Sequence, residues 1–197
     1  MRPFSANKLP PPPDLAPLGL NPAQPVDVEI GCGVGLHPIR YARENPGRQL
    51  VAIERTKDKF EKFAGRLSHH ETLPNLTAIH GDALAWITHG FAPESVSRFI
   101  MLYPNPYPKP AQRNQRFHYM PFFAQLRATL KQGGELWLAT NEAFYAEEAR
   151  LIYPAEWKME LVEDSLVSPS SPPRTHFEKK YLARGEPCFN LRFAKNS

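Results

Sequence analysis

The chain has 197 residues, of which 42% are hydrophobic and 22% charged. That balance suits one well-buried domain and excludes both a disordered chain and a pair of ordinary domains. A formal net charge of +4 is compatible with a polyanionic partner without requiring one.

The first 24 residues are rich in proline, weakly charged and without periodicity, which predicts an extended arm (1–24) ahead of the domain proper (25–197). Within the arm, Arg2 and Lys8 could reach a nucleic acid, although solvent is the expected neighbour. Pro10 to Pro13 interrupts any apolar leader, and the longest apolar run, Phe99 to Tyr103, is far short of the ~20 residues that span a bilayer. A cytoplasmic protein with no membrane partner is therefore expected. Cys32 and Cys188 stand far apart and lack metal-ligand spacing, so neither a disulfide framework nor a metal site is expected.

Val26 to Ile30 reads as a buried strand that turns at Gly31, Gly33 and Gly35 into a helix with an apolar stripe of Leu36, Ile39 and Ala42. Leu50 to Ile53 is the second strand, and Lys57 to His70 is a helix with Phe60, Phe63, Ala64 and Leu67 at i, i+3, i+4 and i+7. This alternation is the mark of βαβ units. Leu76 to Ile79 is the third strand, Asp82 an N-cap for a helix over Ala83 to Ile87, and Phe99 to Tyr103 the fourth strand. Tyr119, Phe122, Phe123, Leu126 and Leu130 predict a helix that Gly133-Gly134 should end, before a fifth strand at Leu136 to Ala139. A helix over Glu142 to Leu151 follows. Met159 to Val162 and Cys188 to Phe193 complete the strands, with a loop of turn composition, Ser165 to Arg174, between them.

The polar candidates fall after strand ends, where open α/β sheets bind ligands. Glu54 follows the glycines by about 20 residues, the place of a carboxylate that accepts ribose hydroxyls. The glycine spacing is G-x-G-x-G, not the G-x-G-x-x-G of a pyrophosphate loop, and Glu29 lies two residues before the first glycine. That form resembles motif I of class I S-adenosylmethionine-dependent methyltransferases. The resemblance implies an α/β, Rossmann-like fold: a seven-stranded, mostly parallel sheet, helices on both faces and a C-terminal antiparallel hairpin. It also implies S-adenosyl-L-methionine as cofactor, with Glu29, Gly31, Gly33, Gly35, Glu54 and Asp82 around it, Asp82 accepting from the adenine amine.

After the fourth strand comes Tyr103-Pro104-Asn105-Pro106-Tyr107-Pro108-Lys109, a stiff loop suited to presenting a side chain. Together with Thr140, Tyr145 and the segment Thr175-His176-Phe177-Glu178, it resembles the tRNA (guanine-N7)-methyltransferase family, whose motif here runs Pro-Asp-Pro-Trp-Pro-Lys. The resemblance implies Asn105 and Lys109 as catalytic residues, with Asn105 also touching cofactor. It implies Tyr107, Lys109, Arg113, Arg116, Asn141, Thr175 and Glu178 as substrate-binding residues. Lys109, Arg113, Arg116, Arg174, Lys179 and Lys180 would face phosphates.

The family's aspartates are Asn105 and Asn141 here, and its tryptophan is Tyr107. An amide has one accepting oxygen where a carboxylate has two, and its bonds carry no charge assistance, so the guanine edge would be held by fewer and weaker bonds. Two alternatives stay open. Asn-Pro at this position also resembles the motif of amino-group methyltransferases acting on adenine or a protein amide, and a cofactor- and RNA-binding paralogue without turnover fits as well. Nothing in the sequence separates a monomer from a homodimer.

Overall fold

The computed structural model describes residues 3–15, 18–69 and 72–196. Arg2 and His70 lie outside the described residues. Its elements are β1 (Val26–Ile30), α1 (Leu36–Glu44), β2 (Gln49–Glu54), α2 (Lys57–Ser68), β3 (Leu76–His80), α3 (Ala83–Gly90) and β4 (Val96–Leu102). These are followed by α4 (Phe123–Thr129), β5 (Leu130–Thr140), α5 (Ala143–Trp157), β6 (Met159–Leu166), α6 (His176–Ala183) and β7 (Phe189–Lys195). The seven strands form one sheet in the order β3-β2-β1-β4-β5-β7-β6. The first five pair in parallel, and β7 lies antiparallel between β5 and β6. This is the expected class I methyltransferase sheet, although a connection carrying α6 takes the place of a tight turn between the last two strands.

Strand β2 explains why the sheet is covered on both faces. Val51 and Ile53 join a core with residues of α3, α4 and α5, whereas Leu50 and Ala52 point the other way into a core with residues of α1 and α2. Beneath the sheet's rim, Asp27 of β1 is fully buried. It accepts two bonds from Arg48 at 2.6 Å and one from the Tyr41 hydroxyl at 2.6 Å. An isolated carboxylate would not survive there.

The described part of the arm packs on the domain. Leu18 is buried against the space above Gly90, Phe4 meets the Phe122 ring edge-on at 5.6 Å, and His89 Nε2 bonds the Leu9 carbonyl at 2.8 Å.

Three boundaries differ from the sequence expectation. The helix expected from Tyr119 shortens to α4, because residues 110–115 and 117–119 form two 3-10 turns. Gly133-Gly134 does not end it; α4 stops at Thr129, and the pair lies inside β5, where the register with β4 shifts. Gly133 has φ +68°, and a Cβ on Gly134 would meet Leu130 and the Lys131 carbonyl at 2.9 Å, so this is a bulge built for glycine. Helix α5 runs past the expected Leu151 to Trp157, through Pro154, its last turn tethered by the Trp157 indole donating to the His118 carbonyl at 2.8 Å. Tertiary contact overrides the proline.

Candidate active site

The carboxyl ends of β1 to β4 open into one cavity of about 620 Å³, at the crevice where the strand order reverses. One wall comes from the first three strands. Glu54 at the end of β2 is almost fully buried, and each of its oxygens accepts one backbone N–H: Oε2 from Gly33 at 2.9 Å and Oε1 from Thr56 at 2.7 Å. Those bonds fix the carboxylate and leave a lone pair on each oxygen. Gly31 and Gly33 have φ of +72° and +62°, with open space where a Cβ would be. The loop can therefore lie against a ligand through bare backbone. Asp82 caps α3 by accepting from Leu84 N at 2.9 Å through Oδ1, which leaves Oδ2 for the cavity it lines.

Glu29, also on this wall, is held by a residue the sequence reading passed over. His37 is buried, lines the cavity, and places Nδ1 2.7 Å from Glu29 Oε2. No motif or spacing marks it, because its role depends on α1 packing against the end of β1. Cys32 lies between Glu29 and Glu54; burial first, then those two charges, push its thiol well above the ordinary range. It is no thiolate nucleophile.

The opposite wall is the proline loop. Tyr103, Pro104, Asn105 and Tyr107 line the cavity, and Asn105 Oδ1 accepts from Tyr107 N at 3.3 Å. Tyr103 and Tyr107 have φ of +56° and +46°, a left-handed conformation that costs a tyrosine roughly 1–2 kcal/mol each. The surroundings hold them there. Tyr103 N donates to the Ala139 carbonyl at 2.8 Å, and its hydroxyl donates to Glu178 Oε2 at 2.7 Å. The Tyr107 carbonyl accepts from Arg116 Nη2 at 2.9 Å and Nε at 3.1 Å.

Arg116 is therefore not a phosphate-facing residue. It is 5% exposed and doubly bonded to Glu148 at 2.6 and 2.7 Å. His118, fully buried, places Nε2 2.8 Å from the same carboxylate. Burial opposes the Glu148 charge, but the bonds from His118 and Arg116 outweigh it and hold that carboxyl below its ordinary pKa. Burial also pushes His118 below the ordinary histidine value, more than Glu148 raises it, so the ring is neutral at pH 7. The cluster is a brace behind the loop.

Other expected site residues also turn inward. Glu178 is fully buried behind Tyr103 and absent from the cavity lining; both its oxygens are taken, by Arg174 and by the Tyr103 hydroxyl. Burial works against its charge, and Arg174 more than compensates, holding the carboxyl below its usual value. Arg174, expected to face phosphate, is spent on Glu178 and on Asn190 Oδ1 at 2.7 Å. Asn141 lies outside the cavity lining, its amide pointing to Glu186 at 3.2 Å. Gly35 lies outside it too: at φ +82°, a Cβ there would be 2.0 Å from the Phe63 ring, so this glycine lets α2 pack on the loop.

Thr175 does line the cavity, while its hydroxyl caps α6 by accepting from Glu178 N at 3.0 Å. Lys109 and Arg113 are exposed on the outer 3-10 turn, with the Arg113 guanidinium 4.1 Å above the Tyr119 ring. Asn114, Gln115, Phe117 and Met120 complete that side of the cavity. No sequence periodicity marks them, because chain folding around Arg116 brings them in. Among the described residues no group of three or more His, Cys, Asp or Glu could hold a metal ion, and no helix is long and apolar enough to cross a membrane.

A family model, Methyltransf_4 ("Putative methyltransferase"), matches residues 23–191. Curated relatives include the tRNA (guanine-N(7)-)-methyltransferases of Burkholderia thailandensis, 30% identical over 85% of this chain and 63% of that protein, and of Burkholderia ambifaria, 30% identical over 86% and 67%. That of Nitrosomonas eutropha is 29% identical over 87% and 76%. This chain thus spans about 63% of the length of the first of these relatives. Among solved structures, the 16S rRNA methyltransferase KamB superposes with a TM-score of 0.64 at 17% identity, covering 89% of this chain and 90% of that one. The antibiotic-resistance methyltransferase Kmr gives 0.63 at 17%, covering 93% of both chains.

Proposed function

Since the chain belongs to the Methyltransf_4 family of methyltransferases, we propose that it uses S-adenosyl-L-methionine to methylate guanine N7 in tRNA. The observation that carries this reading is a cavity that sets an oriented, half-satisfied Glu54 opposite Asn105 and Tyr107. The fit to the cofactor rests on the bare Gly31 and Gly33 backbone and on two pre-aimed carboxylates. When bound, S-adenosyl-L-methionine supplies a methyl group activated by a sulfonium.

The chain's own residues bind and orient. Glu54 offers one free lone pair on each oxygen to the two ribose hydroxyls, and Asp82 Oδ2 takes the adenine amine. Glu29, steadied by His37, accepts from the ammonium end, with Gly31 and Gly33 bordering the same moiety. Guanine N7 presents a lone pair without a proton, so no general base is required. Alignment is the main task of the site, and such positioning contributes about 7 kcal/mol or more.

Asn105 takes the positioning role at the proline loop, and Tyr107 offers a ring face to the base. Thr175 bounds the cavity on the α6 side. Lys109 and Arg113 stand outside, where they touch the substrate only beyond the target nucleotide. Arg116, Asn141 and Glu178 act through the loop and wall that they hold. We read 1–24 as an arm distinct from the domain over 25–197, and a tRNA substrate implies a reaction in the cytoplasm.

The test is incubation of the full chain with radiolabelled S-adenosyl-L-methionine and unmodified tRNA, followed by nucleoside analysis. Label in 7-methylguanosine is the expected result. Cofactor binding by calorimetry without label in tRNA would instead support a paralogue that binds but does not turn over. Label in an adenine or a protein amide would support the amino-group alternative.

A further inference from the structure

Of the six cations expected to face phosphate, Arg116 and Arg174 are consumed inside the protein, whereas Lys109, Arg113, Lys179 and Lys180 are exposed. Arg116 and Arg174 are locked to Glu148 and Glu178, and Arg113 is stacked on Tyr119. Lys180 of that set stands instead with cations of α2 that the sequence did not single out. On α2, Lys59, Lys62 and Arg66 recur at i, i+3 and i+7 and so share one helical face. On α6, His176 and Lys180 are related by i, i+4.

The two stripes meet at the cavity. Lys59 and His176 both line it, as does Arg55 in the link between β2 and α2. The positive charges of Lys59, Arg66 and Lys180 all reach His176 and add to the effect of its partial burial in lowering its pKa. Among the described residues none of Lys59, Lys62, Arg66 and Lys180 has a carboxylate within ion-pair distance; of the two acids of α2, Asp58 in the first turn makes no ion pair with them and Glu61 is paired to Lys57 at 3.7 Å. Unpaired like charges on adjacent helices repel one another, and a polyanion laid across them removes that repulsion. The facing wall around Asn105, Asn114 and Gln115 is polar but uncharged.

We propose that the α2–α6 face, not the turn over 109–116, holds the phosphate backbone of the RNA. This rests on the reading of the chain as an RNA methyltransferase. The backbone would run over Lys62, Arg66 and Lys180, and the target base would turn in past Lys59 and His176. Such contacts position the RNA without reading its sequence.

The test compares two charge-reversed full-length proteins, Lys62→Glu/Arg66→Glu/Lys180→Glu and Lys109→Glu/Arg113→Glu, by fluorescence anisotropy with unmodified tRNA from 50 to 200 mM salt. Loss of three phosphate contacts should flatten the slope of log affinity against log salt by about 2, with at least a ~10-fold loss of affinity at the lower salt. The Lys109/Arg113 pair should change the slope by less than about 1. If the triple variant keeps the wild-type slope, or the 109/113 variant accounts for most of it, the proposal is overturned. Thermal melting and cofactor calorimetry check folding, and the neutral Lys62→Gln/Arg66→Gln/Lys180→Gln protein should give a smaller flattening of the same kind.

The two readings fail separately. RNA binding that collapses on α2–α6 reversal without any 7-methylguanosine would leave this surface standing and remove the guanine reading. A wild-type protein that binds no RNA removes both.

Discussion

The two walls of the cavity are built by different kinds of contact. On the glycine-loop side, Glu54 is aimed by Thr56 two residues away and by Gly33 on the adjacent strand end, so the geometry follows once neighbouring parallel strands pair. On the proline-loop side, Tyr107 is held by Arg116, which is held by Glu148 on α5, and Tyr103 is held by Glu178 on α6. One wall is a property of a local motif. The other is braced from a distance, and its strained tyrosines would relax if the braces were removed.

The sharpest way to break that difference is to remove a brace. Arg116→Ala leaves the Tyr107 carbonyl without its donors and the half-buried Glu148 without its main partner, so it should cost about 3 kcal/mol in chemical denaturation. It should lower kcat in the methylation assay while cofactor affinity by calorimetry changes little. An unchanged melting curve would mean that the loop does not depend on Arg116. Next in size, Glu54→Ala on the local wall should weaken cofactor binding about 100-fold, by removal of charge-assisted bonds, with a smaller effect on stability. Equal loss of tRNA affinity would blur the two walls.

Gly35→Ala probes the packing behind the glycine loop. A Cβ 2.0 Å from Phe63 at positive φ should destabilise by about 2 kcal/mol. The double substitution Gly35→Ala/Phe63→Ala should not recover cofactor binding fully if the loop's conformation also matters. Smaller again is the effect of acid. Glu148, Glu178 and His118 all have pKa values below their ordinary ones in the folded chain. The unfolded chain therefore binds more protons as pH falls from about 6.5 through 4, and stability is lost in that window. Melting temperature should decline first near the histidine range, and His118→Gln should flatten that upper part. The smallest effect is expected from Arg113→Ala, within about 0.5 kcal/mol, because its contacts lie on the exposed turn. Arg113 and Arg116, three residues apart, then differ by their surroundings alone.

Those two arginines differ in a way that local sequence does not encode. In sequence both stand in the same basic segment after the proline motif, and nothing in their spacing says that one is 5% exposed and the other open to solvent. Glu178 and Asn141 were placed by motif as site residues in the same way, yet their side chains point into the wall and toward Glu186. The α2 cations carried no motif at all. That Lys59 shares a cavity with His176 depends on tertiary folding that brings elements more than a hundred residues apart to one site.

The sequence by itself determined the alternation of strands and helices, the glycine turn, Glu54 and Asp82 at their strand ends, and the proline loop after β4. Each of these rests on a local rule: side-chain periodicity, the φ that glycine permits, or the fixed interval between consecutive parallel strands. Only the tertiary structure decided which charges are spent and which are left over. An ion pair such as Arg116–Glu148 joins residues 32 positions apart, and its formation depends on how two elements pack rather than on what either contains. The same packing filled the notch at Gly35 with Phe63 and left Lys62, Arg66 and Lys180 without an ion-pair partner among the described residues.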